Sequence, residues 1–99
     1  MLQNENENVY VAVEGEEETW IQFKLERMSG TTLPFAVTPE PFEPYMLKQG
    51  RDDFRLSQVR LGEIVKKLRS DELGATHVTI VSQDGSETHD KKTFLQFMF

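Results

Sequence analysis

The chain has 99 residues, a net charge of −6 and no cysteine. That length is one domain, and 37% hydrophobic with 28% charged residues is too apolar for wholesale disorder. The missing cysteines exclude disulfides, thiolate metal sites and cysteine nucleophiles together.

Residues 1–8 are polar and rich in Asn and Glu, and read as a disordered tail, leaving 9–99 as a single α+β domain. The first residues lack the basic start and apolar core of a signal peptide, and no apolar run approaches a membrane span. The expected location is therefore the cytoplasm. Residues 9–13 are β-branched and aromatic and predict a strand. Glu14, Gly15, Glu16, Glu17 and Glu18 predict a turn. Residues 19–27 alternate, with Ile21, Phe23 and Leu25 on an apolar face and Trp20 on the polar one, as in a half-buried strand. After a turn at 29–32, residues 33–37 predict a third strand, begun by Pro34. The three make an antiparallel meander.

All four prolines, Pro34, Pro39, Pro41 and Pro44, lie within an eleven-residue window. Proline fixes φ and removes a backbone donor, so no regular element runs through that window uninterrupted. A short, proline-distorted helix over about 39–49 is predicted, with Thr38 as its cap and Pro44 in conflict with a continuous helix. Phe54, Arg55 and Leu56 predict a short strand. Leu61, Ile64, Val65 and Leu68 recur at helical spacing and predict an amphipathic helix over about 58–70, with Ser57 as a possible cap. Residues 75–82 predict a strand, Asp84-Gly85 a hairpin turn, and residues 93–99 a last strand, apolar on both faces. The expected fold is α+β: a mainly antiparallel sheet of five or six strands, one amphipathic helix and one short distorted helix. Its expected core is Val11, Val13, Ile21, Phe23, Leu25, Phe35, Leu61, Ile64, Val65, Leu68, Val78 and Ile80.

Charge is unevenly placed. Residues 1–30 carry seven acids against two bases, and residues 51–70 six bases against three acids. An acidic balance argues against direct nucleic-acid binding, which needs a basic face. No phosphate-binding loop or nucleophile elbow is present. His77 and His89, with Asp84, Glu87 and Asp90, have no metal-ligand spacing, so no metal, cofactor or catalytic set is expected. Glu16, Glu17 and Glu18 sit on an expected exposed turn, without the burial that acid catalysis needs.

The candidate partner-binding residues are the aromatics Trp20, Phe42, Tyr45, Phe97 and Phe99 and the acids Glu16, Glu17 and Glu18. Trp and Tyr are common interface anchors. Phe42 and Tyr45 form either a binding surface or a satellite core.

Several pieces then fall in a familiar order. Leu33-Pro34-Phe35 runs into Thr38-Pro39-Glu40 and a short aromatic helix. The Leu61-Gly62-Glu63-Ile64-Val65 helix follows, then a strand from Gly74 to Val81 before Asp84-Gly85. From Tyr10 to Gly85 this resembles the SseB N-terminal domain family of bacterial proteins. The resemblance implies a small α+β accessory module and brings no established catalytic residues with it.

The expected function is a small non-enzymatic, acidic protein-interaction module, such as an adaptor, immunity or regulatory protein, with a protein partner and no membrane. One alternative is a phage- or plasmid-type inhibitor whose acidic turn occupies a basic, nucleic-acid-binding surface of a target. Another is a small hydrolase using His77 or His89. A homodimer through the C-terminal strand is a separate expectation, since a strand edge offers unpaired backbone groups.

Overall fold

The computed structural model describes residues 5–97. Among these, seven strands and three short helices follow one another as β1 (Asn8–Glu14), β2 (Thr19–Trp20), β3 (Phe23–Lys24), β4 (Thr31–Ala36), α1 (Phe42–Lys48), β5 (Arg55–Arg60), α2 (Leu61–Arg69), β6 (His77–Ser82), β7 (Gly85–Asp90) and α3 (Lys91–Phe97). The α+β class and the mainly antiparallel sheet are as expected, with more strands and one more helix. No helix among the described residues is long and apolar enough to cross a membrane.

β1 is the spine of the sheet. β5 pairs with it from Asn8 opposite Arg60 to Val13 opposite Arg55. β1 also meets β4 at Tyr10–Ala36 and Val11–Phe35, and β2 at Val13–Trp20 and Glu14–Thr19. β3 pairs with the start of β4. β4 then runs parallel to β6, from Thr32 opposite His77 to Phe35 opposite Ile80, and β6 forms an antiparallel hairpin with β7. The single parallel pair follows from the crossover through α1, β5 and α2 between β4 and β6.

Strand side chains alternate between two faces. On the first, Val9, Val11, Val13, Leu33, Phe35 and Val78 pack against Leu61, Ile64, Val65 and Leu68 of α2 and Phe94 of α3. Phe35 and Phe94 meet edge to face with centroids 5.8 Å apart. On the second face, Ala12, Ala36 and Val81 pack with Ile21 and with Phe42 and Met46 of α1. The domain therefore has three layers and two cores.

Several sequence expectations need correction. Residues 5–8 are not a disordered tail. The Glu7 and Glu5 carbonyls accept hydrogen bonds from the Leu61 and Gly62 N–H groups at 2.8 Å, and Asn8 opens β1. They cap α2 in place of a side chain, and a Cβ at Gly62 would press on Glu5 at 3.1 Å. Residues 1–4 lie outside the described part.

The strand expected over 19–27 is broken. Ile21 still donates to the Ala12 carbonyl at 2.8 Å, but the chain then moves from β1 to β4. Gln22 turns inward, donating to the Leu73 carbonyl at 2.7 Å and accepting from the Thr31 hydroxyl at 2.7 Å. Because both sheet faces are covered, Trp20 packs on the first core and Ile21 on the second. Of the expected core, Phe23, Leu25 and Ile80 are only half-buried.

α1 begins three residues later than expected. A turn closed by Phe42 N–H to the Pro39 carbonyl precedes it. Pro44 thus becomes its third residue, whose N–H has no intrahelical acceptor, and the conflict disappears. The expected helix start at 58 is strand instead, because 55–60 pairs with all of β1's first six residues. The expected last strand is α3. The Thr93 N–H donates to Asp90 Oδ1 at 2.6 Å, capping the helix and turning Phe94 onto Phe35.

Candidate functional site

α1 has only seven residues, so it covers the middle of the second face and leaves the part over β6 and β7 open. Its C-terminus is closed by Gly50, at φ 78°, with Gly50 N–H to Leu47 O and Arg51 N–H to Met46 O. The register of the short helix buries Phe42 and Met46 and places Tyr45 at the helix border, edge to face with Phe23 and with Phe42.

Tyr45 divides two cavities. The larger, about 350 Å³, lies between α1 and the β6–β7 hairpin. Pro41, Pro44 and Tyr45 form one wall and Val81, Ser82 and Ser86 the other, with Glu40 and Lys48 also lining it. The smaller, about 170 Å³, lies on Tyr45's other side, toward Phe23, Leu25 and Thr88. Burial pushes the Tyr45 phenol above its ordinary value of 10, with a hydrogen bond to Thr79 opposing the rise.

Beneath Tyr45 runs a row of hydroxyls across three strands. Thr32 and Thr79 are both buried, with Oγ1 atoms 2.7 Å apart, and Thr79 and Thr88 follow at 2.9 Å. The register makes this row, since Thr79 faces Thr88 directly and lies two positions along β6 from His77, the partner of Thr32, and so on the same face. Each hydroxyl has a partner there, so the sheet carries a polar line without an orphaned group.

The other expected site residues scatter. Phe42 is fully buried in the second core, with Tyr45 packed against it, so of the two expected alternatives Phe42 takes the satellite core and is not an exposed anchor. Trp20 is half-buried, with Lys67 Nζ 5.3 Å over its ring, so its polar-face position is covered by a cation. Of the described candidate aromatics, Tyr45 lines the groove between α1 and the β6–β7 hairpin. The Phe97 side chain and Phe99 lie outside the described part.

Glu16, Glu17 and Glu18 are exposed on the β1–β2 turn. Their carboxylates meet no basic group among the described residues. The turn is braced at its base: Arg51 pairs with Glu14, and the Arg55 guanidinium donates to the Gly15 carbonyl.

His77 and His89 do not converge. His77 faces Asp90 across the hairpin and His89 faces Val78, so they occupy opposite sheet faces. His77 Nδ1 is 2.8 Å from the Thr76 hydroxyl, and His89 Nε2 is 3.4 Å from Glu87 Oε2. Among the described residues no three His, Asp or Glu side chains form a cluster able to hold a metal.

Sequence reasoning missed Pro41 and Pro44 as one groove wall, Ser86 in the wall opposite, and the threonine row. The prolines were visible as a group, but the helix start that orients them depends on tertiary packing. No family model matches the chain, and no curated protein matches it.

Proposed function

We propose that this chain is a non-enzymatic protein-interaction module whose binding surface is the groove beside Tyr45. The observation that carries the reading is the pairing of a rigid apolar wall, Pro41, Pro44 and Tyr45, with the open second face of the β6–β7 hairpin. Proline and a packed tyrosine lose little conformational entropy on binding, which favours a docking surface. The lack of cysteine is compatible with a cytoplasmic setting.

The ligand is an extended segment of a partner protein, with an apolar side chain for the groove and a basic neighbour. Glu40 lines the groove together with Lys48, and Asp84 stands in the hairpin turn beside it. Selection from a displayed random-peptide library tests this. Peptides should share an apolar residue next to Lys or Arg, and Ser86→Arg, which places a long side chain in the groove, should abolish their binding. Peptides that bind Ser86→Arg as well as the parent contradict the reading.

A second reading rests on the braced, unpaired Glu16, Glu17 and Glu18: an inhibitor that covers a basic surface of a nucleic-acid-binding protein. It predicts binding that falls steeply with salt and disappears when the three glutamates become glutamine. Binding that survives both removes it.

A further inference from the structure

We propose that β7 is a self-association edge, pairing antiparallel with β7 of a second copy about a two-fold axis at Thr88. This stands independently of the Tyr45 groove, since it uses the strand's outer edge.

β7 hydrogen-bonds to β6 on one side, and no described element pairs with its other side. Five of its six residues are exposed, and it contains no proline and no bulge in its register with β6. Such an edge invites another strand. The dimer expected through residues 93–99 has no strand to form it, because that segment is α3 as far as it is described.

The sequence of β7 selects the register. Two copies keep their helices on matching sides of a continuous sheet only if the axis passes through a residue, so that like faces meet. Centring on Glu87 sets Glu87 against Glu87. Centring on His89 sets His89 against His89. Centring on Thr88 sets Glu87 of each copy against His89 of the other, and Thr88 against Thr88.

Within one copy Glu87 and His89 are already 3.4 Å apart on one face. The Thr88-centred pair makes an alternating square of two carboxylates and two imidazoles. On the opposite face it joins the Thr32–Thr79–Thr88 row to that of the second copy. A carboxylate opposite an imidazole can share a hydrogen bond, where carboxylate opposite carboxylate repels, and Thr–Thr cross-strand pairs are favourable.

The other edge, β5, fits less well. Its Arg55 and Arg60 are five positions apart, whereas Glu87 and Asp90 of β7 are three apart, so no single register pairs both arginines with both acids. A β5–β7 contact would also be head-to-tail and would not close.

Sedimentation over about a hundredfold range of concentration tests the proposal. Wild type should approach twice its 11.5 kDa mass. His89→Glu, and separately the double variant Glu87→Lys/His89→Lys, should remain monomeric, because each places like charges opposite one another. Mixing those two variants should restore a dimer, which a simple folding defect cannot do. Because the chain has no cysteine, Thr88→Cys gives a second measurement: copper-phenanthroline oxidation should cross-link it far faster than Gln58→Cys on β5. A wild type that stays monomeric, a mixture that does not associate, open-ended larger species, or equal cross-linking at both edges overturns the proposal.

Discussion

At the residue scale, the threonine row and one left-handed glutamate are the most testable features. Thr79 is buried and bonds both Thr32 and Thr88. Thr79→Val keeps the shape but strands the buried Thr32 hydroxyl, so it should cost about 1–3 kcal/mol in urea unfolding. Thr32→Val added to it should recover part of that loss, since no orphaned hydroxyl then remains between the two strands. Glu18 is exposed at φ 54°, a conformation that a Cβ disfavours. Glu18→Gly should therefore raise stability by about 1 kcal/mol in the same assay. Gly30 shows the opposite case: it sits at φ 113°, and a Cβ there would strike the Thr76 hydroxyl. The sequence made the apolar residues of the strands legible, because alternation is local. It did not make the threonine row legible, because a row across strands depends on register.

At the element scale, the parts whose signals lie inside one segment were the readable ones. The i, i+3, i+4, i+7 spacing of Leu61, Ile64, Val65 and Leu68 gives α2, and Asp84-Gly85 gives the β6–β7 turn. The misread parts depended on a distant partner. β5 extends to Arg60 because β1 is long enough to pair with it, and α1 starts at Phe42 because that residue fills the second core. α3 was legible in principle: Asp90 three residues before Thr93 is a capping pattern, and Phe94, Leu95 and Phe97 fit one helical face as well as a strand. The cap has a pH dependence. Hydrogen bonds from Thr93, with His77 and Lys92 adding to them, hold the Asp90 carboxyl below its ordinary 3.8. A depressed folded pKa means the stabilisation is present above that ordinary value and is lost as pH falls through the folded one. The Thr93 amide resonance should therefore move toward its unfolded position only below about pH 4, and in Asp90→Ala it should lie there at neutral pH.

At the scale of the whole molecule, three layers sharing one thin sheet leave little of the second face free, and that remainder lies beside Tyr45. The same arrangement makes the fold sensitive to base. The Tyr45 phenol is raised by burial, so its neutral form is favoured in the folded state. Its contribution is complete below the ordinary value of 10 and is lost as pH rises through the folded value. Wild type should lose stability above about pH 10 more steeply than Tyr45→Phe, read as the pH dependence of the urea midpoint. The candidate groove was partly legible at this scale: the clustered prolines lie in the segment that forms one of its walls, and Tyr45 was among the expected anchors. Phe42 was not separable from it by sequence, because one helical step decides which of the two faces the core. The most direct measurement of the central claim is an amide chemical-shift map of the isotope-labelled protein titrated with a library-selected peptide. Shifts should concentrate at residues 40–48 and 81–86 and be absent in Ser86→Arg. Shifts confined to residues 14–18, or spread equally over both sheet faces, would contradict that claim.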